Sequence, residues 1–355
     1  MSMKSDKVKG TSLVDLLTDA KNIEALEHIH LIALDEPVKG FFEAFFARYL
    51  CGGEALKGCR GVSRKRLAMA YSGVNCFDAQ SLYLSKQIDN YIAAKSWLLK
   101  NRISIESLND INYLMRKSDS DGKQIGIRTS EVFVGKSYEK ATYIPPNYTL
   151  LEELMSDLIS FLNCDKVSSI TKSYVAMSQL AQIHPYTDGN GRVSRLLWES
   201  IIDKESVKPI HPSLYRLSIS KTPQLYKSKG FKDHETVNYW VNSALWGEKL
   251  KEQINVETKK TVSAIQTKLL FKAMMKESML VVNRLWLYPV FTINSLVFKG
   301  VEILKFEIIE ELKVAGIIKN KRTNILETGS VFEAEILTAY RDKIESLIFS
   351  TEAGN

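Results

Sequence analysis

Apolar residues recur mainly at helical spacing along this chain. Leu13, Leu16, Leu17, Ile23, Leu26 and Ile29 predict a helix within residues 12–34, and a phenylalanine-rich helix follows over 38–50. Helical patterns resume over 78–101 and 104–117, then over 149–162, 166–183, 193–203 and 235–245. A long charged helical stretch covers 245–286. One region breaks the period. Residues 130–134 alternate, 135–140 are polar turn material, 141–144 return to an extended pattern, and Pro145 and Pro146 end it. This predicts a β-hairpin in an otherwise helical region. The texture changes again from Pro289. Residues 292–296 read as a short capped helix, and 302–315 as a helix stopped by Gly316. Residues 317–318 and 324–326 read as two short strands. That order predicts a winged helix.

The expected fold is therefore mainly α: a helical bundle with a small β-hairpin, plus a C-terminal α+β module of winged-helix type. The boundaries fall at 1–77 for an N-terminal helical region, 78–250 for a core, and 251–355 for a linker helix and the winged-helix-like domain.

Composition narrows the picture little. A chain of 355 residues with 45% hydrophobic content suits two globular domains. No run approaches the roughly 20 apolar residues of a membrane-spanning helix. The N-terminal stretch lacks the apolar core of a signal peptide. The four cysteines (Cys51, Cys59, Cys76, Cys164) have no metal-ligand spacing and no paired framework. Reduced thiols and a cytoplasmic location are expected. The net charge of +7 fits an anionic ligand but is small for this length. The cluster Arg64, Lys65, Arg66 reads as a solvated face or helix end.

The chemistry concentrates between residues 173 and 200. A helix with Val175, Leu180 and Ile183 on its buried side runs up to His184, and Pro185 cannot continue it. The chain passes through Tyr186, Thr187, Asp188, Gly189, Asn190, Gly191 and Arg192. A new helix then begins, with Val193, Leu196, Leu197 and Ile201 on one side. Two glycines and an asparagine permit a tight turn that exposes consecutive N–H groups. Those groups sit at a helix N-terminus, which favours anions. Arg192 and Arg195, three apart, can reach one side of that helix, and a guanidinium fork suits phosphate oxygens. Asp188 supplies a hard oxygen ligand suited to magnesium on a polyphosphate. His184 is a titratable base a few residues away. Taken singly, each feature recurs in turns, helix faces and cores. Together, in this order and between two helices, they are the components of phosphoryl or nucleotidyl transfer.

The stretch His-Pro-Tyr-Thr-Asp-Gly-Asn-Gly-Arg-Val-Ser-Arg, from His184 to Arg195, resembles the signature of the Fic family, H-x-F-x-[D/E]-G-N-[G/K]-R followed by x-x-R. Tyr186 replaces the usual phenylalanine. The hairpin resembles the family's flap, and the similarity covers roughly 78–245. Longer members often carry a winged helix, which 289–327 resembles.

The resemblance implies a protein adenylyltransferase that moves AMP from ATP to a hydroxyl of a target protein. His184 would be the catalytic base and Asp188 would hold Mg2+. Gly189, Asn190, Gly191, Arg192 and Arg195 would bind the nucleotide. The flap residues Val132, Phe133, Val134, Thr142 and Tyr143 would dock the target by strand addition. Gly191 stands where the phosphate-transferring branch has lysine, which favours nucleotidyl transfer.

Two features modify this. Many members carry an inhibitory glutamate in an [S/T]-x-x-x-E-[G/N] motif. No Glu-Gly or Glu-Asn dipeptide occurs in this chain, and Asn75 stands in the corresponding place within 70–75. Asparagine cannot form the ion pair with Arg195. The usual autoinhibition would be lacking, or supplied by a partner or by the protein's own oligomer, such as a homodimer. In the C-terminal module, the candidate recognition helix holds Glu302, Glu307, Glu310 and Glu311 against Lys305 and Lys313. An acidic helix is unsuited to a phosphate-lined groove, so DNA is disfavoured and protein contact preferred. The alternative reading is a DNA-binding transcriptional regulator whose Fic core is a sensor or inactive. No membrane partner is expected.

Overall fold

The computed structural model describes residue 24 and residues 79–117, 126–205, 234–286, 290–292, 305–321 and 331–350. The expected helices over 12–34 and 38–50 lie almost wholly outside these residues, as do the 64–66 cluster, Asn75 and the expected strand at 324–326. The chain divides into two compact units, one containing residues 89–248 and the other 249–355.

The first unit is helical. Helix α1 is Ala79–Lys100, and α2 is Ile105–Arg116. A capping box starts α2: the Ser104 hydroxyl accepts the N–H of Ser107 at 3.1 Å, and the Ser107 hydroxyl accepts the N–H of Ser104 at 2.8 Å. Leu108, Ile111 and Met115 give α2 its buried stripe, and Asn112 and Arg116 lie buried beside them. A 3-10 turn, Tyr148–Leu150, leads into α3, Leu151–Leu162. Helix α4 is Ser169–Ile183 and α5 is Asn190–Glu205.

Helix α4 forms the centre, since only Gln179 and Gln182 among its 15 residues escape burial. It packs on α3 and α5, and α5 packs in turn on α2. The long helix α6, His234–Leu269, begins in this unit. There the Tyr174 ring stacks on Trp240 at 5.7 Å and meets Trp198 edge-on at 5.6 Å.

One polar cluster sits inside this core. Glu199 of α5 is fully buried and accepts the Tyr91 hydroxyl at 2.5 Å and the Lys95 ammonium at 2.6 Å. Tyr91 and Lys95 are one helical turn apart on α1, so a single carboxylate ties α1 to α5.

The hairpin is present but shorter than expected. Strand β1 is Val134–Gly135 and β2 is Ala141–Tyr143, antiparallel, with Val134 opposite Tyr143. Residues 130–133 do not pair. Continuing the register would set them against Ile144, Pro145 and Pro146, and proline has no N–H to donate to a ladder.

The second unit holds the rest of α6, then α7, Met275–Leu285, and β3, Val290–Thr292. Next come α8, Lys305–Val314, β4, Lys319–Lys321, β5, Val331–Glu333, and α9, Glu335–Ser350. The sheet is antiparallel with order β3-β5-β4, and Phe291 stacks on Phe332 at 5.5 Å.

Several elements differ from the sequence reading here. The helix expected over 302–315 is described from Lys305, and Gly316, at φ +64°, turns the chain out of it. Ile317 and Ile318 are buried but precede the strand. The patterns at Val290–Thr292 and Val331–Glu333 are too short to show a period of two, and neither was expected as a strand. Thr292, expected to begin a helix, ends β3. The stretch 245–286 is two helices, parted at Leu270 to Met274, where Phe271 takes φ +66°.

The Glu199 cluster yields a test. Glu199→Ala leaves the Lys95 ammonium buried without its carboxylate and should destabilise the protein by about 3–5 kcal/mol. Replacing Lys95 and Glu199 together by Met and Leu should recover most of that loss in urea unfolding.

Candidate active site

The loop between α4 and α5 is built around a helix end that cannot continue. His184 caps α4 in the left-handed conformation, φ 52° and ψ 56°. The following proline disfavours the α region for residue 184, which pushes the chain out of the helix there. Three bonds hold His184 in this unfavourable conformation. Its N–H donates to the Leu180 carbonyl at 3.0 Å. Its Nδ1 lies 3.2 Å from the Ala181 carbonyl. Its own carbonyl accepts Nε of Arg128 at 2.9 Å. A carbonyl can only accept, so Nδ1 carries the proton and Nε2 is the basic nitrogen.

Burial is the main influence on this imidazole and pushes its pKa down to about 4. The bond to Ala181 and the Asp188 carboxylate oppose the shift, and the positive charge of Arg128 adds to it. His184 is therefore neutral at pH 7, as a base must be. The folded value lies below the ordinary 6.5, so the stability this group contributes is fully present above pH 6.5. That stability is lost as the pH falls from 6.5 towards 4.

The loop is closed by Asn190. Its side-chain oxygen accepts the Tyr186 N–H at 2.9 Å, and its amide nitrogen donates to the Tyr186 carbonyl at 2.7 Å. Asn190, expected as a nucleotide ligand, thus directs its amide at the loop's own main chain. Gly189 has φ +87°, and a Cβ there would lie 2.6 Å from Nδ2 of Asn112, so only glycine fits.

Asp188 is the exposed end of a charged relay. Its Oδ1 accepts the Gly189 N–H at 2.6 Å. Its Oδ2 lies 2.9 Å from Nη2 of Arg192 and 3.8 Å from Nε of Arg116, while half of the side chain stays open to solvent. Arg192 is buried, and its Nη1 donates to the Met115 carbonyl at 3.3 Å. The two motif arginines therefore part ways. Arg192 lies under the loop against Asp188, and Arg195 is half-buried over Gly191, its Nη1 3.3 Å from where a Gly191 Cβ would stand.

Tyr186 is buried beneath the loop. Its hydroxyl has no hydrogen-bond partner among the described residues, and burial raises its pKa.

The flap residues divide as well. Phe133 is 42% exposed and meets Tyr138 edge-on, and Thr142 is exposed with its hydroxyl bonded to the Val134 carbonyl at 2.9 Å. Val132 and Val134 are half-buried. Tyr143 points inward, its hydroxyl donating to the Gln182 carbonyl at 2.7 Å.

Three residues of the site escaped the sequence reading. Asn112 donates to the Asp188 carbonyl at 3.0 Å, Arg116 approaches the Asp188 carboxylate, and Arg128 holds His184. For the first two a signal existed. Asn112 and Arg116 are polar residues four apart at positions that the α2 pattern assigns to its buried face. Arg128 lies in irregular chain and had no signal.

The Fic/DOC family matches residues 102–202. The chain is 34% identical over 110 residues to protein adenylyltransferase fic-1 of Caenorhabditis briggsae, covering 29% of this chain and 20% of that protein. It is 25% identical over 199 residues to protein adenylyltransferase Fic of Culex quinquefasciatus, covering 54% and 38%. The chain thus spans well under half the length of these curated relatives. A solved structure of Fic-1 from C. elegans aligns with a TM-score of 0.49 at 19% identity, over 69% of this chain and 75% of that one.

Two expectations follow from the geometry. An NMR titration of the His184 ring should give a pKa near 4, and a value of 6 or above would contradict the lowered pKa of this half-buried imidazole. Tyr186→Phe removes a buried unsatisfied hydroxyl and should stabilise the protein by about 1–3 kcal/mol in urea unfolding. Destabilisation would mean that the hydroxyl has a partner.

Proposed function

On the premise that residues 102–202, which match the Fic/DOC family, form a Fic-type catalytic domain, we propose that the protein is a nucleotidyltransferase. It transfers AMP from ATP to a hydroxyl of a protein. The observation that carries this reading is the His184 imidazole, whose Nδ1 is held by the Ala181 carbonyl so that Nε2 is the basic nitrogen, beside a glycine-bearing turn at the N-terminus of α5.

In this reading the acceptor oxygen attacks the α-phosphorus of ATP. Its proton passes to Nε2 of His184, the bond from the α-phosphorus to the bridging oxygen breaks, and pyrophosphate leaves. The first-turn N–H groups of a helix have no intrahelical acceptor, so Asn190 and Gly191 would offer theirs to the α- and β-phosphates, while the N–H of Gly189, which shapes the turn, is already bonded to Asp188. Arg195, above Gly191, clamps the polyphosphate. Arg192 acts from below by holding Asp188. A side chain at position 191 would crowd the Arg195 guanidinium, and Gly191, where the phosphate-transferring branch has lysine, supports AMP transfer over phosphate transfer.

Asp188 fits magnesium of the kind held mainly by a substrate's phosphates. It offers one half-exposed carboxylate, and among the described residues no group of three metal-ligating side chains exists. Bound there, the ion would neutralise phosphate charge. An extended target segment would add as a strand to one edge of the β1–β2 hairpin, near the exposed Phe133 and Thr142.

The arrangement α7-β3-α8-β4-β5 supports the reading of the second unit as a winged helix. Its α8 exposes Phe306, Glu307, Glu310 and Val314, an apolar and acidic face that suits protein rather than DNA. The target would be selected there or through self-association, in the cytoplasm.

The decisive measurement compares wild-type protein with His184→Ala, each given magnesium and ATP labelled at the α or the γ position. Label retained on protein from the α position only, and reduced at least 100-fold in the variant, is the expected result. Label from the γ position would make the protein a kinase, and no label from either would remove the AMP-transfer reading.

A further inference from the structure

Three main-chain carbonyls from separate segments, at positions 130, 146 and 184, converge on one buried guanidinium. Arg128 is 1% exposed. Its Nε donates to the His184 carbonyl at 2.9 Å, Nη1 to Ser130 at 2.8 Å and Nη2 to Pro146 at 2.5 Å. Ser130 lies just before the hairpin and Pro146 just after it. The Arg128 N–H also donates to the Pro185 carbonyl at 2.8 Å. A second tie lies alongside, from the Tyr143 hydroxyl on β2 to the Gln182 carbonyl at the end of α4.

The chemistry of these contacts is unusual for a buried arginine. Burial pulls its pKa down, with the charges of Glu131 and Tyr143 acting the other way. The Glu131 carboxylate instead accepts Nδ2 of Asn147 at 2.7 Å. The Arg128 side chain donates to three main-chain carbonyl dipoles. Only a planar fork with donors aimed in several fixed directions can serve three carbonyls at once. Lysine also has three donors, but they sit on one compact nitrogen and do not span carbonyls spread around a guanidinium plane.

We infer that Arg128 is a positioning residue for the transfer reaction, locking both ends of the hairpin to the main chain of His184. A segment paired on the hairpin edge and the imidazole that takes its proton are thereby held at one distance. This rests on the AMP-transfer reading above. The arrangement matters because a displacement of about 1 Å at reacting atoms can lower a rate about 100-fold.

Amide hydrogen exchange on the nucleotide-free protein tests the coupling without any reaction. In Arg128→Lys, exchange should rise at least tenfold at the β1–β2 ladder and at the His184 N–H together. The Leu108 N–H of α2 and the Val193 N–H of α5 should keep their wild-type rates. With α-labelled ATP and the protein itself as acceptor, the labelling rate should fall at least tenfold, while affinity for a non-hydrolysable ATP analogue changes less than twofold. If the ladder loosens while the His184 amide does not, or if labelling stays at the wild-type rate, the proposal is overturned. Parallel loss of nucleotide affinity would also overturn it, because Arg128 would then support the whole site. Should Arg128→Lys not fold, Tyr143→Phe removes only the second tie and should loosen the same two regions together, and independent changes would sink the idea. Wild-type protein without α label would defeat the AMP-transfer reading alone, and the exchange pattern would still decide whether Arg128 couples the hairpin to His184.

Discussion

Main-chain polar groups cannot be buried without partners, and that constraint organises the loop from His184 to Asn190. The segment is too irregular to satisfy itself by helix or strand bonds. Three residues supply what is missing. Arg128 takes the carbonyl of His184, and its N–H takes that of Pro185. Asn190 takes both polar groups of Tyr186, and Asn112 takes the carbonyl of Asp188. Each bond also fixes a position. The imidazole, the Asp188 carboxylate and the start of α5 are held where they are because the chain between them has its hydrogen bonds assigned.

The electrostatics follow from the same packing. Arg116 and Arg192 both face Asp188, one from α2 and one from α5, and both are buried. Their charge is aimed at the half-exposed Asp188 carboxylate. In the AMP-transfer reading, a nucleotide would meet a carboxylate already held in place, with little reorganisation left for the moment of reaction. His184 stands in a drier part of the same site, where burial keeps it neutral. Two titratable groups four residues apart thus sit in contrasting environments, one dry and one open to solvent.

The scaffold beneath is a central helix, α4, covered on nearly all sides. Its neighbours are joined to each other by the Glu199 carboxylate, which links α1 and α5 inside the core. A rigid base of this kind suits a site whose functional groups lie on a loop.

The amino-acid sequence by itself determined the helices of the first unit and the motif loop. Apolar spacing of 3.6 marks a buried helix face wherever it packs, and His184 to Arg195 combine local turn chemistry with a helix start. Those signals are local, so no knowledge of neighbours is needed. The hairpin was legible as a hairpin, but its length was decided by Pro145 and Pro146 opposite residues that then could not pair. The three short strands of the second unit escaped because three residues cannot display a period. What only the tertiary structure decided is which polar side chains turn inward. Arg128, Asn112 and Arg116 act on a loop at least 56 positions away, and Asn190 and Arg192 bind protein atoms rather than facing solvent. These outcomes depend on which carbonyls burial would otherwise leave without partners, and that is settled only when the chain is packed.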